Sequence, residues 1–244
     1  MKGRRWRGLA QQALDMLYPR GARCLGCRDP LHTLPRSVLC AACERQLERL
    51  RVQGDICPRC MTPLDERGRC DFCHGKPVRY LRAIYAAYRY AGLARRLIWQ
   101  LKFYWKDDAA LPFITAMGEI VPLGEYDALT YVPLHPKREK KRGANQAQTL
   151  CRLLSPRLGM PCLSLLERTS NTRPQMEINL LGRRQNVKNA FQAVQSVEGL
   201  RILLVDDIRT SGATAQECAR VLLRAGARDV SLLTATIALK KGVK

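Results

Sequence analysis

Two groups of residues in this 244-residue chain carry side chains of the right type and spacing for chemistry. The first is a set of eight cysteines in four C-x-x-C pairs: Cys24/Cys27, Cys40/Cys43, Cys57/Cys60 and Cys70/Cys73, separated by twelve, thirteen and nine residues. Two cysteines of this kind on a tight turn aim both sulfurs at one point, and two turns complete a tetrahedral S4 site for Zn2+. The expected grouping is Cys24, Cys27, Cys40 and Cys43 on one ion, with Cys57, Cys60, Cys70 and Cys73 on a second; spacing alone leaves interleaved pairing open. A disulfide framework calls for an exported chain, and no export signal is visible. A thioredoxin-like redox site calls for one pair at a βα junction, not four pairs in turn-rich sequence. Few large apolar side chains lie between Cys24 and Cys73, so metal must replace a core, and structural zinc supplies roughly 10–16 kcal/mol of apparent binding energy. His74 adjoins Cys73 but is not needed as a ligand and reads as solvent-facing. Cys151, Cys162 and Cys218 read as ordinary buried thiols.

The second group lies in residues 201–226, RILLVDDIRTSGATAQECARVLLRAG. An apolar strand ends in two adjacent acids, Asp206 and Asp207. A polar turn of Arg209, Thr210, Ser211, Gly212, Ala213 and Thr214 then runs into a helix. Small residues let successive N–H groups converge on an anion, the helix N-terminus adds partial positive charge, and the hydroxyls add donors. No G-K-[ST] is present, which excludes a Walker A loop, and G-x-G-x-x-G is absent. Carboxylates repel a phosphate, so the paired acids must face something neutral or cationic nearby. Vicinal ribose hydroxyls, or Mg2+ bound to them, meet that need, and the whole describes a ribose-5-phosphate site. The plain alternative is a surface turn closing an α/β unit.

Elements to position these groups are legible in the hydrophobic pattern. Residues 81–90 read as a strand, and Leu93, Leu97, Ile98 and Leu101 repeat at helical spacing. A strand at 128–134, a helix at about 145–158, a short strand at 162–166, a strand at 202–206, a helix at about 213–225 stopped by Gly226, and a last strand at 230–237 follow. Alternating strands and helices predict a mostly parallel sheet covered on both faces. The composition shift after Lys76-Pro77 sets the expected division: residues 1–76 for an N-terminal helix and the zinc-binding unit, 77–244 for the α/β domain. Leu9, Ala13, Leu14 and Leu17 give the N-terminal helix one apolar side. Tyr85, Tyr88, Tyr90, Trp99, Tyr104 and Trp105 read mainly as core or inter-domain packing. Interleaved Arg82, Arg89, Arg95, Arg96, Lys102 and Lys106 keep base stacking as the alternative.

Lys+Arg number 42 against 21 Asp+Glu, a net charge of +21, which points to a polyanionic partner. Residues 1–80 hold 16 basic and 8 acidic residues; two Zn(Cys)4 centres at −2 each bring that +8 to about +4. No apolar run approaches the roughly 18 residues needed to span a bilayer. Gln11, Gln12 and Asp15 interrupt any secretory segment, so a cytoplasmic location is expected.

The strand–Asp–Asp–x–x–Thr–Ser–Gly–x–Thr pattern resembles the phosphoribosyl diphosphate (PRPP) motif of type I phosphoribosyltransferases. Nearly the whole chain resembles the ComF family, whose members carry a double zinc ribbon ahead of a phosphoribosyltransferase-like domain. Leu101-Lys102-Phe103 is similar to that family's L-K-[YF] element. Val132-Pro133-Leu134 with Arg142-Gly143-Ala144-Asn145-Gln146 is similar to V-P-L…R-G-F-N-Q, Ala144 replacing the usual aromatic. Thr172, Gln175, Arg183, Asn186, Val187 and Phe191 are similar to T-x-x-Q…R-x-x-N-V…F.

The resemblance implies a PRPP-binding pentosyltransferase of unknown acceptor, acting in DNA uptake, DNA utilisation or competence on internalised single-stranded DNA. It implies Asp206 and Asp207 on the ribose hydroxyls, residues 210–214 with Arg209 on the 5′-phosphate, Mg2+ arriving with PRPP, and Lys102 beside the ligand. The loop from Pro133 to Arg142 would face the diphosphate, with Arg138 and Arg142 as anion partners and Arg142 catalytic beside the two acids. Arg138, Lys140, Lys141 and Arg142 also read as a solvated basic run. The loop from Arg168 through Thr172 to Gln175 would be a flexible flap, and the zinc ribbons would stand where related enzymes place the acceptor-binding hood. The competing reading is a non-catalytic PRPP sensor that binds single-stranded nucleic acid. Proteins of the DNA-uptake machinery are further implied partners.

Overall fold

The protein is described from a computed structural model over residues 23–31, 38–75, 78–103, 107–170 and 189–239. The chain enters as two cysteine-bearing turns flanking helix α1 (Ala41–Glu48), and an α/β unit follows. That unit comprises β1 (Ile84–Arg89), α2 (Gly92–Phe103), a 3-10 turn (Asp107–Ala110), α3 (Leu111–Glu119), β2 (Ala128–Tyr131), α4 (Pro136–Arg142), α5 (Gln146–Leu158), β3 (Leu166–Arg168), β4 (Phe191–Ala193), β5 (Arg201–Arg209), α6 (Ala213–Arg224) and β6 (Asp229–Ile237). The N-terminal apolar helix, Tyr104, Trp105, Lys106 and the Thr172–Gln175 region lie outside the described residues.

β1, β6, β5 and β2 form, in that order, a four-stranded sheet that is parallel throughout. The period-2 alternation of a strand sends its side chains to opposite faces, and β5 and β6 use both. Leu203, Val205, Leu233 and Ala235 enter a cluster with Leu97, Ile98, Phe113, Met117, Leu150 and Leu154 of α2, α3 and α5. Ile202, Leu204, Val230 and Leu232 enter a second cluster with Ala215, Cys218, Ala219 and Leu222 of α6. Strands buried on both faces explain the near-continuous apolar run of ILLV. The predicted class, a parallel sheet with helices on both faces behind a small cysteine-rich unit, is the one found.

The cysteine-rich unit straddles the sheet. Cys24, Leu39, Cys43 and Leu47 belong to the first cluster, whereas Cys57, Cys60 and Cys70 belong to the second. Between them the chain runs antiparallel to the open edge of β1, with Arg89 N donating to Leu50 O at 2.8 Å and Val52 N to Ala87 O at 3.0 Å. An exposed strand edge is thereby covered.

Several elements differ from expectation. The strand expected at 162–166 is reduced to a parallel bridge of Cys162 to Leu129, and regular pairing starts at Leu166, antiparallel to β4. The expected Pro133–Arg142 loop contains α4. Its sequence, PKREKKR, has no apolar period; the helix is set by its ends, where the His135 side chain accepts from Lys137 N and Gly143 closes it at φ +76°. Cys151 and Cys162 are not separate thiols: α5 and the segment beside β2 bring their Cα atoms to 6.0 Å, within the disulfide range, and they are bonded. Cys218 is a free buried thiol, its pKa pushed up by burial.

Candidate functional site

All four strands of the sheet point the same way, so their C-terminal ends share one edge, where ligands of open α/β sheets bind. A cavity of about 340 Å3 opens there. It is lined by Tyr90 after β1, Val132 to Leu134 after β2, Asp206 to Thr210 at the end of β5, Gly212 to Ala215 at the start of α6, and Ala238 after β6. α2 contributes Trp99, Lys102 and Phe103, while Arg138, Arg142 and Arg168 close another side. Of the residues expected at the site, only Ser211, Thr172 and Gln175 are missing from this lining; Ser211 sits within the loop, and the other two lie outside the described residues.

The acids sit on β5 with opposite surroundings. Asp206 Oδ1 accepts from Asp207 N at 2.9 Å, and burial with the adjacent Asp207 charge pushes the Asp206 carboxyl well above the usual carboxylate range. Asp207 is buried and paired with Lys102 Nζ at 2.5 Å. This ion pair lies in the cavity wall, so neither acid is turned away from the cleft. The turn after β5 ends at Gly212, φ +68°, an N-cap residue that has no side chain to bond the first N–H groups of α6. Ser211 Oγ accepts weakly from Ala213 N at 3.4 Å. The first amides of α6 therefore open toward the cavity, the arrangement that favours an anion.

Three guanidinium groups converge opposite. Burial lowers the Arg168 pKa, and the positive charges of Arg138 and Arg142 lower it further. Like charges gathered in this way give that wall of the cavity a positive potential. The segment Arg142 to Gln146 holds the geometry. Asn145 Oδ1 accepts from Ala147 N at 3.0 Å to cap α5, and its Nδ2 donates to Val132 O at 3.1 Å. Buried Gln146 donates to Leu101 O at 3.3 Å and accepts from Arg142 Nη1 at 3.5 Å. One short motif thus fixes the turn after β2, the end of α2 and the aim of Arg142.

The cysteines group sequentially, not interleaved. Within each of Cys24/Cys27/Cys40/Cys43 and Cys57/Cys60/Cys70/Cys73, all four sulfurs lie within 4.8 Å of one another. The Cys60–Cys70, Cys57–Cys73 and Cys27–Cys40 Sγ atoms are 3.4, 3.5 and 3.7 Å apart. A tetrahedron with Zn–S near 2.3 Å requires about 3.8 Å. Backbone donors already favour thiolate: Cys40 N and Gly26 N point at Cys24 Sγ at 3.2 and 3.3 Å. Burial opposes ionisation of Cys24, but these amides prevail and its pKa falls to about 6. A Cβ on Gly26 would meet Cys43 Sγ at 2.5 Å, so the turn closes this tightly only around glycine. The donor set fits structural zinc in both centres. His74 is exposed, as expected.

The second centre touches the loop. Arg209, expected on the phosphate, turns its guanidinium toward the cysteine-rich unit at the end of β5, against Thr62 and Phe72. It is 2% exposed, donates to Thr62 Oγ1 at 2.8 Å and stacks on Phe72, its Cζ 3.9 Å from the ring centroid. Its Nε and Nη1 have no hydrogen-bond partner among the described residues. Burial pulls its pKa down to about 10 against the opposing charge of Cys60, Cys70, Cys73 and Cys57. Phe72 also backs the loop, since a Cβ on Gly212 would lie 3.1 Å from Phe72 Cζ.

Residues 13–74 match the double zinc ribbon domain family. The chain is 32% identical over 218 residues to the DNA utilization protein YhgH of Salmonella typhi, covering 86% of this chain and 94% of that protein. It is 29% identical over 212 residues to Competence protein ComFC of Bacillus subtilis, covering 82% and 84%. This chain belongs to the ComF family. Adenine phosphoribosyltransferase from Thermoanaerobacter pseudethanolicus is 11% identical with a TM-score of 0.36 over 59% of this chain and 86% of that one, a likeness too slight to carry weight.

In this ComF chain the cysteines fall into the two groups expected from their spacing, while β5 continues past the two acids to Arg209. Trp99, expected mainly as packing, is 43% exposed at the cavity mouth, and Phe103 beside it is 48% exposed. Their i, i+4 spacing, with Lys102 between, was the signal that they share a face. Tyr88 is core, as expected. Thr62 and Phe72 carried no such signal, because their partners lie far along the chain. Among the described residues, no helix is long and apolar enough to cross a membrane.

Proposed function

We propose that this ComF-family protein binds PRPP at the C-terminal edge of its sheet and transfers the phosphoribosyl group to an acceptor, in support of DNA uptake or utilisation. One observation carries the reading: an acid pair, a helix N-terminus capped by glycine and three converging arginines share one cavity. These match the three chemical parts of PRPP. Asp206 and Asp207 hold the ribose 2′- and 3′-hydroxyls. Residues 210–214 donate backbone N–H and hydroxyl groups to the 5′-phosphate. Arg138, Arg142 and Arg168 face the diphosphate, and the ion pair with Lys102 holds Asp207 in place.

In the reaction the C1–O bond to diphosphate breaks, its electron pair leaving with the diphosphate, and the acceptor's lone pair closes on C1. The arginines stabilise the charge gathering on the leaving group; removing one such donor typically raises a barrier by about 2.7–4 kcal/mol. Mg2+ bound with PRPP supplies further neutralisation of that charge. The remaining work is positioning. The zinc centres shape the fold and take no part in bond breaking.

Calorimetric titration of PRPP, with and without Mg2+, tests the reading. The Asp206→Asn, Asp207→Asn double variant should lose PRPP binding while keeping its far-ultraviolet circular dichroism. Unchanged affinity in that variant refutes the site. Diphosphate release against a panel of bases and DNA then separates transferase from sensor. The net charge of +21 favours the second reading, a module that also binds single-stranded DNA. Neutralising about six phosphates would give a log–log salt slope near −4.

A further inference from the structure

Thr62 is a buried polar residue of the cysteine-rich unit, 6% exposed, two positions after Cys60. The turn that carries it is closed by Cys57 N donating to Thr62 O at 2.9 Å. Its hydroxyl has two neighbours: Cys60 Sγ at 3.2 Å and Arg209 Nη2 at 2.8 Å. A hydroxyl has one proton to give and lone pairs to accept with, whereas a guanidinium can only donate. Cysteine bound to zinc is a thiolate, which can only accept. Both demands are met at once when Arg209 N–H donates to Thr62 Oγ1 and Thr62 O–H donates to Cys60 Sγ. The result is one continuous chain of hydrogen bonds from the metal ligand to the end of β5. Outer-shell partners of this kind are worth about 10- to 100-fold in metal affinity.

Phe72 adds a second tie. It stands between the ligands Cys70 and Cys73, so metal binding fixes its backbone. Its ring lies 3.9 Å from Arg209 Cζ and also backs Gly212. Arg209 ends β5 and Gly212 caps α6. The second centre therefore grips both ends of the turn through Thr210 and Ser211 that opens onto the first amides of α6. The first centre has no such reach: Cys24 and Cys43 pack in the cluster on the other face of the sheet, while Cys57, Cys60 and Cys70 share theirs with Ala213 of α6.

We infer that Thr62 and Arg209 are positioning residues that couple the second zinc centre to the turn between β5 and α6, so that a ribose 5-phosphate ester bound at the turn retains zinc in that centre, and zinc in that centre keeps the turn in its binding form. The two effects are one linkage and must be equal in size. This inference rests on the proposed sugar-phosphate site and adds a regulation of it by metal occupancy.

The test uses the full chain loaded with zinc. Zinc is drawn off by EDTA in the presence of N-ethylmaleimide, and peptide mass spectrometry follows the alkylation of each cysteine, so both centres are read in one sample. Saturating ribose 5-phosphate should slow alkylation of Cys57, Cys60, Cys70 and Cys73 by about 5- to 150-fold, the usual range of coupling between sites. Alkylation of Cys24, Cys27, Cys40 and Cys43 should stay near its ligand-free rate. Thr62→Val keeps the shape and removes the hydroxyl, and should abolish most of the selective slowing; Thr62→Ser should restore it. A side chain that merely fills space would leave the ligand effect unchanged in the valine variant. Slowing that is equal at both centres, or absent from both while ribose 5-phosphate binds, overturns this inference alone, as does selective slowing that persists in Thr62→Val. Ribose 5-phosphate binding that ignores Asp206→Asn with Asp207→Asn overturns the sugar-phosphate reading and this inference with it. The comparison of the two centres in the parent needs no variant, and so decides even if Thr62→Val takes up no zinc.

Discussion

Arg209→Met should uncouple the second zinc centre from the sheet. Methionine is close to arginine in length and fills most of its space, so the cavity left is small. What goes is the charge, the 2.8 Å bond to Thr62 and the stack on Phe72. With zinc bound, the Cys57/Cys60/Cys70/Cys73 centre carries −2 in the same buried cluster, and Arg209 faces it with two N–H groups that have no other partner among the described residues. Replacing both members of a buried ion pair by apolar groups is often neutral, but removing one leaves the other uncompensated and costs about 3–5 kcal/mol. The lower end applies, because methionine keeps the dispersion contacts. We expect about 3 kcal/mol off the unfolding free energy, read from the denaturant midpoint at constant slope. Zinc release to a chromogenic chelator should speed up for one of the two ions, by roughly 150-fold if the whole loss appears in local opening. A loss under about 1 kcal/mol with both ions released at parental rates would show that Arg209 is not the counter-charge of that centre.

Three other outcomes are expected. Gly212→Ala places a Cβ at φ +68° against Phe72, costing about 1–2 kcal/mol in backbone strain, and should weaken PRPP binding in calorimetry more than it lowers the thermal midpoint. Asp127 accepts from Arg201 Nη2 at 2.7 Å and from Arg201 N at 2.8 Å, which pull its pKa to about 2. That is below its unfolded value near 3.9, so the stabilisation is complete above about pH 4 and lost as pH falls toward 2; Asp127→Asn should flatten the acid limb of the stability curve in that window, modestly because the pair is partly exposed. Elemental analysis should find two zinc ions per chain, and one or none would contradict the two-centre assignment.

What the sequence disclosed and what it withheld follow from the range of the interactions concerned. The cysteine pairs and the Asp206–Thr214 turn are local arrangements, and spacing suffices to read them. The four sheet strands were visible because burial on one or both faces leaves an apolar pattern. α4 was hidden because PKREKKR owes its helix to His135 and Gly143 at its ends, not to an apolar face. The Cys151–Cys162 bond depends on how α5 lies against the segment beside β2, which no periodicity encodes. Trp99 illustrates the limit most directly: it reads mainly as packing, and only the placement of α2 shows that it borders the cavity and not the core. Arg209 and Thr62 meet across 147 residues, and nothing in either neighbourhood announces the other.

The placement of the zinc ribbon changes what it can contribute. Expected as a hood over the acceptor, it supplies none of the described residues that line the cavity. It stands behind the turn between β5 and α6 instead, with Phe72 against Gly212 and Thr62 holding Arg209. A positive-φ glycine at the end of a strand is otherwise free to choose among several turns. Phe72 leaves space for the backbone of Gly212 but little for a side chain, so the ribbon narrows that choice. The ribbon also joins both faces of the sheet, one cysteine centre in each apolar cluster. Loss of the first centre should therefore loosen the α2 side, where Lys102 and Trp99 originate, and loss of the second should loosen the loop. Selective replacement of one cysteine per centre, followed by ribose 5-phosphate and inorganic phosphate titrations, distinguishes the two: Cys43→Ser should cost ribose 5-phosphate affinity through α2, and Cys60→Ser should cost affinity for every phosphate-bearing ligand. Equal losses from both would mean that the ribbon acts on global stability alone.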